Sequence, residues 1–226
     1  MVTLHTQDFS ERSPLYPRHA GAQLRRLGNA TVVTRYRDED ESTQLQRCAL
    51  IDLSNLARVG FRGNAAADYL QSKGYVLPDR PNQAQPQEDG CLVARLSQSE
   101  YLLLGSLRDA GLRIQREEAA WQFSDSANYL LPRQDSHAWL LLTGESVSMV
   151  MAKLCAVDLR TAAFPPGSVA QTSAARINVI LINAAQGELP SLHILCDRAS
   201  ANYLWGALLD AMGEFDGRPA GVDALF

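Results

Sequence analysis

The sequence predicts an α+β protein built from two related strand–helix–strand units. A strand, a glycine turn and an amphipathic helix follow one another twice, once in each half of the chain. After each helix comes a loop that contains prolines and then consecutive strand-like runs, an order typical of antiparallel pairing. Hydrophobic residues make up 46% of the chain and charged residues 20%, so these elements can bury a core.

Residues 1–45 are predicted to form an extended N-terminal arm. The segment Ser13-Pro14-Leu15-Tyr16-Pro17 cannot lie inside a helix, because each proline lacks an amide hydrogen. Beyond it, residues 22–27 are expected to form a short helix and residues 30–36, rich in threonine and valine, a strand. The acidic residues 38–41 lack the ligand spacing of a calcium loop, which favours a solvated turn.

Residues 46–226 are predicted to form one domain with two pseudo-repeated halves, 46–132 and 133–226. In the first half, Gly63 opens a helix in which Ala66, Tyr69 and Leu70 share one face. The other expected elements of this half are strands at 49–53, 57–61 and 128–131, a hairpin of 91–96 with 101–105, and a helix at 106–121.

The second half is predicted to repeat this order, with a helix that Gly144 opens. Aligning Gly144 with Gly63 superimposes apolar residues: Val147 on Ala66, Val150 on Tyr69 and Met151 on Leu70. The other expected elements are strands at 139–143, 169–173, 177–182 and 192–196, and a helix at 200–212. Two such units indicate a mixed sheet faced by helices, in a ferredoxin-like arrangement.

The bulk properties exclude several kinds of partner. The net charge is −4 and the basic residues are scattered, so we expect no nucleic-acid binding. The longest apolar runs have the length of a strand, far below the roughly 20 residues of a membrane helix, so we expect no membrane segment. The first residues are polar and lack the apolar core of a secretion signal, which predicts a cytoplasmic protein.

The sequence contains no motif of a self-sufficient catalytic site, and we predict no catalytic residues. Glycine-rich phosphate loops, the serine hydrolase elbow and paired zinc-binding histidines are all missing. Gly60-Phe61-Arg62-Gly63 comes nearest to a phosphate loop, but it fits a strand that ends in a helix-entry turn. The histidines, which are His5, His19, His137 and His193, are isolated in sequence, and only tertiary structure can bring them to an acid or a thiol.

The four cysteines, Cys48, Cys91, Cys155 and Cys196, lie far apart in the sequence. This spacing predicts buried reduced thiols, with no disulfide framework and no metal site. His193 and Cys196 are the one histidine–cysteine pair that lies close in sequence. The guanidinium groups of Arg160, Arg176 and Arg198 suit either a carboxylate ligand or a partner protein, and both uses stay open.

Several segments resemble the folate-binding T-protein (aminomethyltransferase) superfamily. Residues 51–70 read as Asp-Leu-Ser, a strand, a glycine and an alanine-rich helix, which resembles the opening of that superfamily. Residues 93–103 resemble its next hairpin, and residues 141–144 and 199–209 continue the resemblance, which covers about residues 48–212. The fold that the resemblance implies is an aminomethyltransferase folate-binding-type domain.

Within that superfamily, three segments most resemble the gamma-subunit family of heterotetrameric sarcosine oxidase. They are residues 12–15, 154–160 and 167–178, of which the last is the most specific. Members of that family carry no flavin and pack beside subunits that hold flavins, a nicotinamide cofactor and folate. The resemblance therefore implies a non-catalytic assembly subunit of an amine-oxidising complex, with tetrahydrofolate and flavin bound by partner subunits and none by this chain alone.

Differences from the catalytic T-proteins also indicate a non-catalytic subunit. At the positions that correspond to residues 88–91, T-proteins carry two paired aspartates. This chain has Glu88-Asp89-Gly90-Cys91 there, so only Asp89 of the pair remains. They also use a glutamate that pairs with pterin donors, and alignment on Glu188 puts Leu192 at that position. Asp89 and Glu188 are therefore the candidate cofactor-binding residues. The sequence ends at Phe226, which we expect to leave no room for the carboxy-terminal barrel of T-proteins.

Two other functions remain open. One is a free-standing tetrahydrofolate-binding or one-carbon-transfer protein with a modified pocket that uses Asp89 or Glu188. The other is a homo-oligomer, because a face that binds a partner can self-associate when the chain is isolated.

Overall fold

The computed structural model describes Phe9 and residues 11–37, 41–185 and 189–226. The strands of the described residues are β1 (Gln23–Leu27), β2 (Ala30–Arg35), β3 (Ala49–Asp52), β4 (Arg58–Arg62), β5 (Gln83–Pro86), β6 (Leu92–Ser97), β7 (Glu100–Leu104), β8 (Tyr129–Pro132), β9 (His137–Thr143), β10 (Val169–Ala174), β11 (Ile177–Asn183), β12 (Ser191–Asp197) and β13 (Arg218–Pro219). The α-helices are α1 (Ser42–Arg47), α2 (Ala66–Ser72), α3 (Leu112–Ala120), α4 (Val147–Ala152) and α5 (Ala201–Met212). In this part of the chain no helix is long and apolar enough to cross a membrane.

Two large sheets contain most of the strands, and the predicted α+β class is confirmed. One sheet has five strands in the order β5-β6-β7-β4-β8, and all its neighbours are antiparallel. The other has six strands in the order β10-β11-β12-β9-β3-β13. Its neighbours are antiparallel except for β13, which runs parallel to β3. β1 and β2 pair as a separate hairpin.

The layers follow from the alternation of side chains along the central strands. On one face of the six-stranded sheet, Leu140 and Leu142 pack with apolar residues of α4 and α5. On its other face, Trp139 and Leu141 meet residues of the five-stranded sheet, such as Leu104. The outer face of the five-stranded sheet packs against α2 and α3. The molecule therefore has a helix–sheet–sheet–helix layering, in which two sheets share the central core.

The helix-entry glycines Gly63 and Gly144 have similar backbone environments in the two halves of the chain. Gly63 has φ +136° and Gly144 φ +107°, a region that favours glycine. Two residues after each glycine, a backbone amide donates to a carbonyl of another segment: Ala65 to Ala127 at 3.0 Å, and Ser146 to Arg47 at 3.3 Å. A Cβ on either glycine would collide with those same carbonyls, at 2.0 and 2.5 Å.

This equivalence reveals a strand that one unit supplies to the other. Ala127 precedes β8, which is the neighbour of β4, whereas Arg47 precedes β3, which is the neighbour of β9. β3 therefore has in the second unit the place that β8 has in the first. Although Ala49–Asp52 belongs to the first half by sequence, it pairs with Leu140–Thr143 of the second.

The region predicted as an extended arm is folded in its described residues. The expected helix at 22–27 is wrong, because Gln23–Leu27 is a strand that pairs with β2. A two-residue turn at 28–29 joins them, and Gly28 has φ +59°, as such hairpin turns require. Leu15 is fully buried in the core beneath α5, so the segment before the hairpin is also packed against the domain.

The expected helix at 106–121 is shorter than predicted. Ala110 and Gly111 both have positive φ, at 56° and 77°, so the helix begins only at Leu112. Residues 106–109 form a loop at the end of β7 instead, in which the Arg108 amide donates to Ser106 Oγ and the Gly111 amide donates to Asp109 Oδ1. This loop borders the site described next.

Candidate functional site

A cavity of about 340 Å³ lies between the two large sheets. Its floor comes from side chains of β9 and β12, and its walls come from the loop after β3 and the loop after β7. The apolar part of the lining includes Leu53, Leu56, Leu104, Trp139 and Leu141. The volume falls at the lower end of the range of about 300–1,000 Å³ that is typical of small-molecule sites.

His193 brings a polar group into this apolar lining. Its Nδ1 accepts a hydrogen bond of 2.9 Å from the indole Nε1 of Trp139, and the two rings meet edge to face. Burial lowers the pKa of His193 to about 4, so the ring is neutral at physiological pH. Since Nδ1 accepts, the single proton lies on Nε2. Nε2 has no hydrogen-bond partner among the described residues, and His193 lines the cavity.

The loop after β7 adds further donors. Ser106 lines the cavity and is buried, and its Oγ accepts from the Arg108 amide at 3.1 Å, which leaves its hydroxyl hydrogen free to donate. The exposed Arg108 borders the mouth, where its Nη1 donates to the Glu88 carbonyl at 3.3 Å. No aspartate or glutamate side chain lines the described part of the cavity.

Asp89 lies near this site but points elsewhere. Its Oδ2 pairs with Nη1 of Arg113 on α3 at 2.6 Å, and its Oδ1 accepts from the Cys91 amide at 3.0 Å. Burial alone would raise the pKa of Asp89, but the hydrogen bonds from Arg113 and Cys91 outweigh it and hold the pKa below the ordinary value. Gly90 rather than Asp89 lines the cavity. A ligand-binding role for Asp89 stays a prediction, and Glu188 lies outside the described residues.

Leu192 does not face the cavity, contrary to the comparison made from the sequence. It is buried between the six-stranded sheet and the helices α4 and α5, whereas its neighbours Ser191 and His193 line the cavity. His193 and Cys196, which lie close in sequence, point to opposite faces of the sheet, because they are three residues apart on a strand. The alternation of side chains along β12 was the sequence signal that places His193 on one face and Leu192 and Cys196 on the other. All four cysteines are free and buried, as predicted.

A second polar cluster, which sequence reasoning missed, fastens the N-terminal segment to β3. Asp52 Oδ2 accepts from the Ser13 hydroxyl and lies 2.8 Å from His19 Nε2, while Asp52 Oδ1 accepts from the Ser54 amide at 2.9 Å. The Tyr36 hydroxyl lies 2.7 Å from His19 Nδ1. The side chains of His19 and Asp52 are each 4% exposed.

This cluster has the residue types of a hydrolase triad but not its geometry. In a triad the histidine lies between the serine and the acid, whereas here Asp52 lies between Ser13 and His19. The arrangement therefore stabilises a buried charge and does not activate a nucleophile. Its sequence signal was an aspartate inside the apolar run of residues 50–53, since a buried acid needs partners.

The remaining acidic and histidine candidates have structural partners. Glu41 is buried, and its carboxylate accepts from the amides of Tyr36, Arg37 and Gly221, so the predicted solvated turn is wrong for this residue. Residues 38–40 and His5 lie outside the described residues. His137 Nδ1 lies 2.8 Å from the Ser136 hydroxyl. No cluster of metal-ligating side chains occurs among the described residues.

Three arginines were expected to bind either a carboxylate ligand or a partner protein, and they lie in different environments. Arg160 pairs with Asp158 on the surface at 2.6 Å, and Arg198 donates to the Arg12 carbonyl. Arg176 is exposed at the tip of the β10–β11 hairpin, with φ +67°. Of the three, only the exposed side chain of Arg176 makes no hydrogen bond or ion pair within the described residues.

Comparison with solved structures gives the class of fold. The glycine cleavage system aminomethyltransferase T from Bartonella henselae superimposes with a TM-score of 0.72 and 17% sequence identity, over 95% of this chain and 60% of that chain. The protein therefore has an aminomethyltransferase-type fold and spans 60% of the length of that enzyme chain.

A second structure matches over nearly the whole of both chains. It is a chain of the heterotetrameric sarcosine oxidase from Corynebacterium sp. U-96, solved in complex with pyrrole 2-carboxylate. The TM-score is 0.66 and the identity 22%, over 91% of this chain and 96% of that chain. The resemblance stated from the sequence is confirmed at the level of the fold. No protein-family model matches the chain, and no curated protein matches its sequence.

Proposed function

We propose that this protein is a non-catalytic, gamma-like assembly subunit of a sarcosine-oxidase-type complex that oxidises an amine and is linked to folate. The observation that carries the proposal is the match to a chain of heterotetrameric sarcosine oxidase over 91% of this chain and 96% of that chain. Flavin and tetrahydrofolate would be held by the partner subunits. Segment 167–178, the most specific part of the sequence resemblance, contains β10 and the turn of the β10–β11 hairpin, where Arg176 is exposed, and it suits a contact with a partner.

The state of the candidate acid supports a non-catalytic role. Asp89 is held by Arg113 and the Cys91 amide, so its carboxylate already has partners and its pKa lies below the ordinary value. A general base for one-carbon transfer needs a carboxylate directed at the reacting nitrogen. His193 is a weak base because burial lowers its pKa to about 4.

The strand order supports the ferredoxin-like description within this proposal. The first unit has strands in the order β6-β7-β4-β8, with a helix after β4 and another after β7, which is a split β-α-β arrangement. The second unit has the order β11-β12-β9-β3, in which β3 completes the pattern. We propose a cytoplasmic location on the same basis as before, and four free buried cysteines fit a reducing compartment.

Co-purification tests the assembly role. The chain is tagged in its native cells and isolated under mild conditions, and the recovered partners are identified by mass spectrometry and by their flavin absorbance. We expect flavoprotein subunits in fixed ratio to the tagged chain, together with amine-dependent oxygen consumption. Recovery of the chain without any flavoprotein would contradict the proposal, and light scattering would then show whether it associates with itself.

A matched variant sharpens this experiment. Arg176→Glu reverses the charge at the exposed hairpin tip, whereas Arg116→Glu makes the same change on the outer face of α3, where the side chain is exposed. If the hairpin contacts a partner, Arg176→Glu lowers the flavoprotein yield and Arg116→Glu does not.

The cavity between the sheets favours one alternative, a free-standing tetrahydrofolate-binding or one-carbon-transfer protein. Its volume of about 340 Å³ and its position between the two units suit a small ligand. This alternative predicts saturable binding of tetrahydrofolate to the isolated chain. Calorimetry that detects no binding at millimolar tetrahydrofolate removes it.

A further inference from the structure

The cavity between the sheets is lined by apolar side chains and by a few hydrogen-bond donors. Its apolar side chains come from both sheets, and its polar side chains are Ser106, Arg108, Ser191 and His193, each of which can donate a hydrogen bond. The described lining contains no aspartate or glutamate side chain to balance them. A site built from donors and one cation selects a ligand rich in acceptors and negatively charged.

The donor at His193 is fixed by its contact with Trp139. Because Nδ1 accepts from the Trp139 indole at 2.9 Å, the neutral ring can present only Nε2–H to the cavity. The low pKa, about 4, keeps this state through the physiological range, since burial disfavours the charged ring. The floor of the cavity therefore offers a neutral N–H donor of defined direction, which can bind an acceptor without adding a buried charge.

The cation lies at the mouth, where a charged group keeps part of its hydration. Arg108 is exposed, and the one bond that its guanidinium makes in the described chain is to the Glu88 carbonyl at 3.3 Å. The other guanidinium donors stay available for a carboxylate. The geometry thus separates an apolar interior with one buried donor from a cationic rim.

We propose that this cavity binds a small organic carboxylate whose charged group lies at Arg108 and Ser106, whose apolar body lies against Trp139 and Leu141, and which presents one acceptor oxygen to His193 Nε2. The volume of about 340 Å³ limits the ligand to a small molecule. The inference is independent of the assembly role, because it concerns a site on this chain alone.

Binding of 4-oxo-4-phenylbutyrate and of 4-hydroxy-1-phenylbutan-1-one to the full chain tests the proposal, since the two probes share an apolar body with one carbonyl acceptor and differ in charge. Titrations are followed by calorimetry and by the indole N–H resonance of Trp139, which is assigned by its loss in Trp139→Phe. We expect the carboxylate to bind at least about tenfold more tightly than the alcohol. Equal affinities, or no response of the Trp139 resonance to either probe, would overturn the proposal.

Two pairs of variants locate the interactions. Arg108→Gln should weaken carboxylate binding about tenfold and remove its advantage over the alcohol, while Arg116→Gln, at an exposed position of α3, leaves both unchanged. His193→Phe should weaken binding of the carboxylate, while His193→Gln, which keeps an acceptor for Trp139 and a donor for the cavity, restores it. If Arg108→Gln and Arg116→Gln lower the affinity for the carboxylate equally, the carboxylate does not bind at Arg108. Thermal unfolding of each variant confirms that the fold is kept.

Discussion

Asp52 is a buried carboxylate that three parts of the chain share. It accepts from Ser13, lies 2.8 Å from His19 and accepts from the Ser54 amide, so it joins the N-terminal segment to β3 and to the loop that follows. A network of this kind stabilises a structure only when every member has its partner. The consequence is that a single substitution at Asp52 affects the attachment of the whole N-terminal segment.

Replacing Asp52 by alanine tests this attachment. The change leaves the buried Ser13 hydroxyl, the His19 ring and the Ser54 amide without their acceptor, and we expect the free energy of unfolding to fall by about 3 kcal/mol. Urea unfolding measures the effect. Asp210→Ala, at an exposed position of α5, is the control and should change stability by less than about 0.5 kcal/mol. Equal effects of the two substitutions would show that the network contributes nothing.

The same carboxylate predicts a dependence on pH. Burial by itself would raise the pKa of Asp52, but the hydrogen bond and charge of His19, with the bonds from Ser13 and Ser54, lower it below 3.8. The unfolded chain therefore binds the proton more readily, so the stabilisation is complete above the unfolded pKa of about 3.9 and is lost as pH falls through the folded value.

Unfolding of the wild type and of Asp52→Asn, measured from about pH 6 to about pH 2, checks this sign. The difference in unfolding free energy between the two proteins should be constant near pH 6 and should shrink at the acid end. A difference that grows as the pH falls would contradict the assigned direction of the pKa.

At the scale of the elements, the two helix-entry glycines allow a close approach that no other residue permits. Ala substitution at Gly63 or Gly144 places a Cβ against a carbonyl of another segment, at a backbone φ that favours glycine. We expect each substitution to lower the unfolding free energy by more than about 1 kcal/mol. Gly206, in the interior of α5, is the matched control, because a Cβ there meets nothing within 4 Å. Gly206→Ala should raise stability by about 0.5–1 kcal/mol in the same unfolding assay.

The β10–β11 turn has backbone strain, because two residues other than glycine have positive φ. Ala174 pairs with Ile177, so the loop has two residues, Ala175 and Arg176, and both have positive φ, at 49° and 67°. Such turns favour asparagine followed by glycine. The double variant Ala175→Asn with Arg176→Gly should raise the unfolding free energy by about 1 kcal/mol. Arg176→Lys, which keeps its Cβ, should leave the thermal midpoint unchanged, and a gain of stability there would contradict the strain.

Local patterns were sufficient for the elements that lie within one unit. The glycine turns before α2 and α4, and the hairpin of β6 and β7, follow from spacing along the chain, and all lie where they were predicted. Residues 22–27 were misread because Leu24 and Leu27 fit a helical face as well as a strand, and the pairing with β2 decides between them. The position of Asp89 depends on Arg113 in α3, which no motif of consecutive residues encodes.

The site was less accessible to sequence reasoning than the fold. The alternation of side chains along a strand places His193 on the face opposite Leu192. Which of the two faces lines the cavity depends on how the two sheets pack. Likewise, Ser13, His19 and Asp52 meet only because the N-terminal segment folds back on β3. Contacts between such distant residues are set by tertiary packing, which a single sequence does not show.

At the scale of the whole molecule, the exchanged strand makes the two units interdependent. β3, from the first half, lies between β9 and β13, so residues 133–226 alone lack a strand inside their own sheet. We expect fragment 133–226 to show no cooperative thermal unfolding by circular dichroism when it is produced alone. Co-production with fragment 1–132 should restore the fold.

A fusion provides the matched control for this experiment. Residues 46–56, which contain β3, are joined through a glycine-rich linker to the start of fragment 133–226, since β3 and β9 run antiparallel. The fusion should recover cooperative unfolding, whereas the same linker with a scrambled 46–56 segment should not. Cooperative unfolding of fragment 133–226 by itself would show that β3 is dispensable.

The exchanged strand also determines when the protein can fold during its synthesis. β3 leaves the ribosome early, but its partner β9 follows only after the whole five-stranded sheet has been made, and β13 comes near the end. Until then β3 has unpaired edges and an apolar sequence, which is the state most prone to aggregation. Pairing of Ala49 with Thr143 also gives a high contact order, which slows folding. The nascent chain therefore has a long interval in which a chaperone, or a partner already assembled, would protect it.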